Sequence, residues 1–321
     1  MSLGKRIGRY PVIREIGQGA VGTVYEGFDP ATGSKVAIKV LRAEHLPDHR
    51  ADSAASRFER EAQATRRLHH PNIVAVHEYG EQGRIKFIAM ELLHGQELRT
   101  LMRQRGRFGL DDAVTVTLQV LDALGHSHRH GVVHRDIKPS NVMVLEGLHV
   151  KVMDFGIARI ETAAFTQMGT LLGTPAYMSP EQLRGLPADG RADLWAAGVM
   201  LHEMLAGRNP FAGATALEIT RNALMTEPAA VSSLVPGLPA SLDAVLERAL
   251  AKDREQRFGE AAEFAAELVK AVAAAAGDAV DLELAAAVAA EQEPVTTAAV
   301  DLDLADVPAP APDSGLPRAA T

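Results

Sequence analysis

Between residues 134 and 156 the chain gathers side chains suited to moving a phosphoryl group. The run His134–Arg135–Asp136–Ile137–Lys138–Pro139–Ser140–Asn141 offers a carboxylate able to accept a hydroxyl proton, a cation for phosphate oxygens and an amide oxygen. Asp154–Phe155–Gly156 adds a second carboxylate. Hard Mg2+ prefers a few protein oxygens completed by substrate phosphates, so Asn141 and Asp154 suffice as protein ligands where they converge on one nucleotide.

A nucleotide needs a cradle, and Gly17–Gln18–Gly19–Ala20–Val21–Gly22–Thr23–Val24 spells GxGxxGxV. A dinucleotide-binding fingerprint requires such glycines to open a helix, and a P-loop requires Lys-Ser/Thr after the last one. Here they lie between two strand-like runs and Thr23–Val24 follows Gly22, so both readings fail. Two stay open: a plain flexible turn, or a glycine hairpin laid over phosphates, where missing side chains let backbone amides approach the anion. Lys39 closes the apolar run Val36–Ala37–Ile38. A cation on a half-buried strand should have a partner, and Glu61 is the candidate. The alternative is a solvent-reaching lysine, with Glu61 on a solvated helix face beside Arg57, Arg60, Arg66 and Arg67; the apolar bracketing of Lys39 favours the pair.

The positioning elements read as two parts. Tyr10 to Val40 alternates strand-like runs with turns, and Ile73–Tyr79 and Ile85–Met90 follow a polar helix over Ala54–Leu68. Together these predict a five-stranded antiparallel sheet carrying one helix. After Gly95 the period lengthens to about 3.6 residues. Asp111 and Asp112 open a helix with a buried stripe at Val114, Leu118, Leu121 and Leu124, and Leu194–Leu201 is apolar all round, a helix at the centre of its lobe. Further helices are expected near Thr215–Met225, Ser241–Leu250 and Glu260–Ala274. The boundaries predicted are an extension over 1–9, a sheet lobe over 10–93, a helical lobe over 94–274, and a disordered Ala/Pro-rich acidic tail over 275–321.

Composition limits the alternatives. There is no cysteine, which excludes disulfides, thiolate catalysis and cysteine-bound zinc and suits a reducing, cytoplasmic setting. No stretch reaches the roughly 18 apolar residues of a membrane span. The net charge of −8 belongs entirely to 271–321, where nine acids face Arg318 alone, while the rest of the chain is neutral. That balance makes no case for nucleic acid or an anionic membrane as partner. The histidines His126, His128, His130 and His134 do not share one helix face and are expected to hold no metal.

Gly17/Gly19/Gly22, Val36–Lys39, Glu61, His134–Asn141, Asp154–Gly156, Ser179–Pro180–Glu181, Asp193 and Arg257 follow one another in the order seen in protein kinases. Over about Ile7 to Val272 the chain resembles a bacterial Hanks-type, eukaryotic-like serine/threonine protein kinase. The resemblance implies an α+β bilobal kinase-like fold, with a small antiparallel sheet lobe and a larger helical lobe, and ATP with Mg2+ as cofactors. It implies Asp136 as the residue acting on the substrate hydroxyl, Lys138 on the transferring phosphate, and Lys39, paired with Glu61, on the α- and β-phosphates. Asn141 and Asp154 would hold Mg2+. Adenine would bind along Glu91–Leu92–Leu93 behind Met90, between Ile16, Val24, Ala37 and Met143. Glu181 would pair with Arg257; read without the resemblance, these are two surface charges of little worth.

Lys138 and Thr174 resemble serine/threonine rather than tyrosine kinases, and Gly173–Glu181 resembles the segment that docks a protein substrate. Arg135 suggests control by a phosphothreonine, with Thr166 and Thr170 as candidates and Thr162 behind them. Two positions depart from the family pattern: Ser179 stands where alanine is commoner, and Thr65 where an apolar residue is usual. The expected partners are ATP and protein substrates, with a tail-binding protein and a second copy of the chain as further candidates. The rival reading is a scaffold that keeps the fold without catalysis; the presence of Lys39, Asp136, Asn141 and Asp154 argues against it.

Overall fold

The computed structural model describes residues 6–18, 22–41, 66–83, 85–155 and 175–276. Six antiparallel strands form one sheet: β1 (Arg6–Ile7), β2 (Tyr10–Gln18), β3 (Gly22–Asp29), β4 (Ser34–Leu41), β5 (Val76–Gln82) and β6 (Ile85–Glu91), in the order β1-β2-β3-β4-β6-β5. The three predicted N-terminal strands are β2 to β4. The turn between β3 and β4 closes because Asp29 accepts the Ala31 N–H through its side chain and the Gly33 N–H through its carbonyl. Gly33 has φ of 72°, a left-handed conformation that suits glycine.

Side chains alternate across a strand, so β4 serves two faces. Val36 and Ile38 join Tyr10, Phe87 and Ala89 in one apolar cluster, while Ala37 joins Val74, Ile88 and Met90 in another. The expected sheet had five strands. The sixth, β1, folds back so that Ile7 pairs with Tyr10 and buries in the first cluster. Two residues are too few to display a period, which is why the extension hid a strand. The helix predicted over Ala54–Leu68 lies, except for its last three residues, outside the described residues, as does Thr65.

The second lobe is helical: α1 (Leu98–Arg105), α2 (Leu110–Arg129), α3 (Pro180–Leu183), α4 (Gly190–Ala206), α5 (Ala216–Met225), α6 (Val231–Leu234), α7 (Ser241–Ala249) and α8 (Ala261–Ala276). A small sheet joins β7 (Gln96–Glu97), just before α1, to β8 (Val142–Val144) and β9 (Val150–Val152), between α2 and α3, and carries the loops of interest. Asp111 and Asp112 sit in the first turn of α2, and the predicted stripe at Val114, Leu118, Leu121 and Leu124 is buried. Helix α4 is the lobe's centre, buried on nearly every side, with Trp195 stacked on Phe211 at 5.2 Å. No helix among the described residues is long and apolar enough to cross a membrane.

At the end of α2 the rings of His70, His126 and His130 form a ladder with centroids 4.9 and 4.4 Å apart. Burial, with the neighbouring His70 and His130, pulls the His126 pKa down to about 4. The unfolded chain therefore takes up a proton at this position that the fold refuses between pH 6.5 and 4, and stability falls as pH drops through that window. His126→Phe, which keeps a ring in the ladder, should flatten the loss of thermal stability between pH 7 and pH 5.

Candidate active site

The loop after α2 is held by an acid from another helix. Asp193, in the first turn of α4 and 1% exposed, accepts the Arg135 N–H through Oδ1 at 2.7 Å and the His134 N–H through Oδ2 at 2.9 Å; His128 Nε2 sits 2.8 Å from the same Oδ2. These bonds fix Arg135 at φ of 66°, a backbone state a non-glycine residue occupies only when its surroundings over-determine it. Gln182 of α3 adds a side-chain N–H to the Arg135 carbonyl at 2.8 Å and accepts from the Ser179 N–H and hydroxyl. Ser179 thus anchors that amide, a use for the hydroxyl at this position.

His134 is buried against Phe155, ring centroids 4.6 Å apart. Its Nδ1 accepts the Asp136 N–H at 3.3 Å, so Nε2 carries the proton donated to the Met153 carbonyl at 2.7 Å. The ring therefore ties the 134–141 loop to the segment bearing Asp154.

On this frame the predicted residues converge. Asp136 Oδ2 is 2.7 Å from Lys138 Nζ and accepts an Asn141 side-chain N–H at 3.0 Å; the other Asn141 side-chain contact is to the Asp136 carbonyl at 2.8 Å. The Met153 N–H donates to the Asn141 carbonyl at 2.8 Å, joining the two loops through backbone. Lys39 Nζ reaches across from β4 to Asp154 Oδ2 at 2.7 Å. Asp154 itself has φ of 62°. Burial would push its carboxyl upward, but Lys39, with His134 and Lys138 beyond, holds it below the ordinary aspartate range, so it is an anion at neutral pH.

The cleft wall above these groups is apolar. Val24, Leu92, Leu93 and Met153 pack on Ala37, Val74, Ile88 and Met90. Gly17 near the end of β2 pairs with Val24, and Gly22 opens β3. Ile16 is exposed and Met143 half-buried on β8. Glu91 has a role the motif did not suggest: its Oε1 accepts Lys151 Nζ at 2.6 Å and the Ala75 N–H at 2.7 Å, pinning the strand that leads from one lobe to the other. Gly19, Glu61, Gly156, Thr162, Thr166, Thr170, Thr174 and the tail from 277 lie outside the described residues.

Residues 10–271 match the model of the protein kinase domain. The chain belongs to the protein kinase family. A Bifidobacterium longum protein named "Probable serine/threonine-protein kinase PknB" is 41% identical over 274 residues, covering 82% of this chain and 39% of that protein. The serine/threonine-protein kinase PrkC of Bacillus subtilis is 37% identical over 270 residues, 84% of this chain and 41% of PrkC. The serine/threonine-protein kinase PknL of Mycobacterium tuberculosis is 38% identical over 261 residues, 81% of this chain and 65% of PknL. The chain therefore spans about two fifths of the length of the first two. These relatives group the kinase domain with the bacterial Hanks-type serine/threonine kinases.

Two features of the kinase domain bear on what it could hold. Both Asn141 side-chain N–H contacts go to Asp136, which leaves its amide oxygen as the atom that could bind a cation, and Asp154 offers carboxylate oxygen. Such hard oxygens suit a divalent cation that completes its shell with phosphate and water. Among the described residues no three His, Asp or Glu side chains gather into a metal site of their own. The second feature is at Glu181: Arg257 meets it through two parallel bonds of 2.9 Å, with both side chains buried. The pair is a structural bridge, not two surface charges.

Proposed function

We propose that this kinase domain transfers the γ-phosphoryl group of ATP to serine and threonine hydroxyls of proteins, with Mg2+ as its metal, and works in the cytoplasm. The observation that carries the reading is the set of short contacts in the cleft, Lys138–Asp136–Asn141 on one side and Lys39–Asp154 on the other, joined by backbone from Met153 to Asn141. Asp136 is a partly exposed carboxylate held rigidly beside a cation, which suits it to orient a hydroxyl and receive its proton. Lys138 lies on the same carboxylate, where its charge can follow the phosphoryl oxygens. Lys39 balances Asp154 and has only to exchange that partner for phosphate oxygens when ATP enters. When bound between Asn141 and Asp154, a divalent metal supplies charge neutralisation at the phosphates. The serine/threonine preference rests on Lys138 and on what the relatives are named. Incubation with γ-labelled ATP and a generic protein acceptor should give label with Mg2+ present and none with a chelator; no label in either condition would overturn the proposal.

Control by phosphorylation is part of the same reading. Arg135 has no carboxylate partner among the described residues, although it sits beside Asp136 on a strained backbone. A phosphothreonine at Thr166 or Thr170 would give its guanidinium a bidentate partner. Thr166→Ala with Thr170→Ala should lower phosphotransfer by roughly 5- to 150-fold, the span of typical coupling energies. Unchanged activity in the double variant would refute this.

A further inference from the structure

Helix α1, the 138–140 segment and the end of α4 enclose a cleft of about 460 Å³. Lys138 forms part of its wall and also touches Asp136, so the cleft opens beside the reacting centre. Arg99 and Arg103, one turn apart on α1 and both exposed, line it as well. Among the described lining residues there is one acid, Glu203, and it is engaged: the Tyr177 hydroxyl donates to it at 2.6 Å and Asn209 at 3.2 Å.

Arg99 does nothing evident for its own helix, whereas Arg103 stands in the last turn, where the dipole favours a cation. Arg105, by contrast, pairs with Asp112 at 2.9 Å and lies over the Phe108 ring. Arg99 and Arg103 have no carboxylate partner among the described residues. Like charges four residues apart work against a helix, and Arg99 stands in the first turn, where the helix dipole disfavours a cation. An anion delivered into the cleft would relieve both. The chain itself contains such an anion: no Lys or Arg lies between Lys270 and Arg318, and Glu291 and Glu293 lie three to six residues before Thr296 and Thr297.

We propose that this cleft selects acceptor peptides with acidic residues a few positions before the target hydroxyl, and that residues 291–297 of this chain are one such substrate, phosphorylated on Thr296 or Thr297. The inference rests on the kinase reading above. The bond from the γ-phosphorus to the threonine oxygen forms as the bond to the β,γ-bridging oxygen breaks, ADP leaves, and the threonine proton passes to Asp136.

The test compares two synthetic peptides as substrates of the full chain with Mg2+ and labelled ATP: residues 289–301, and the same peptide carrying Glu291→Lys and Glu293→Lys. Wild type should favour the acidic peptide at least tenfold in kcat/KM. Arg99→Gln with Arg103→Gln should bring the ratio near one, and Arg99→Glu with Arg103→Glu should invert it. The ratio is formed within each variant, so a reduced active fraction cancels, and the Gln pair carries the test should the Glu pair fail to fold. A wild-type ratio of one or less, a ratio unmoved by either pair, or label in another acceptor protein but in neither peptide would overturn this inference alone. Label in no acceptor would overturn the kinase reading itself, and this inference with it.

Discussion

Asp136→Asn is expected to leave the kinase domain folded and to slow phosphoryl transfer by roughly 100- to 10,000-fold, the usual worth of a positioned acid or base. The geometry separates the two effects. The loop's backbone is held by Asp193, by the His134 ring and by the Asn141 contact to the Asp136 carbonyl, none of which uses the Asp136 carboxylate. That carboxylate is 30% exposed, so its neutral replacement buries no orphaned charge. What is lost is the proton acceptor and the counter-charge 2.7 Å from Lys138. Thermal unfolding of the variant should match wild type within a few degrees while kcat collapses; a parallel loss of fold and rate would mean that Asp136 is a structural residue.

Arg257→Ala carries the largest expected cost in stability. Its guanidinium is fully buried, bonds both Glu181 oxygens at 2.9 Å, donates to the Ala251 and Lys252 carbonyls, and lies over Trp195 at 4.8 Å. Removing it leaves the Glu181 charge buried without a partner, which costs about 3–5 kcal/mol, a large share of a domain's typical stability of roughly 5–15 kcal/mol. The urea midpoint should fall accordingly. Glu181→Gln combined with Arg257→Met should be less damaging than Arg257→Ala, because neither charge is then stranded. The pair also sets an acid limit. Burial raises the Glu181 pKa but Arg257 more than offsets this and holds it below the ordinary glutamate range. Its stabilisation is therefore complete above about pH 4.5 and is lost as pH falls through the lower folded value. With Glu181→Gln that part of the acid sensitivity should disappear.

Much of this was legible from local pattern. Period-two runs gave away β2, β3 and β4, and the 3.6-residue stripe and the all-apolar run gave away α2 and α4, because each rule acts over a few neighbouring residues. The 134–141 run was legible for the same reason, since Asp136, Lys138 and Asn141 are neighbours in sequence and in space. What escaped depends on partners brought together only by the fold. Asp193 bonds residues 58 and 59 positions away, and Lys151 meets Glu91 across 60. Asp193 itself stood in the kinase-like pattern and only its bonds were hidden, although an acid at the head of an apolar helix must be paired if buried. The Lys39 contact with Asp154 spans 115 positions. The sequence-nearer partner expected for Lys39, Glu61, lies outside the described residues. The cationic face of α1 was passed over because Arg99 and Arg103 read as an ordinary solvated surface until the cleft beside Lys138 was formed.

The cleft formed around Asp136 and Asp154 is proposed to move a phosphoryl group onto a protein hydroxyl. The direct measurement is transfer of label from γ-labelled ATP with Mg2+ by wild type, Asp136→Asn and Asp154→Asn side by side, with the modified residues identified. Label on serine or threonine from wild type, reduced at least a hundredfold in both variants, is the predicted result. No label from wild type, or equal label from all three, would contradict the account.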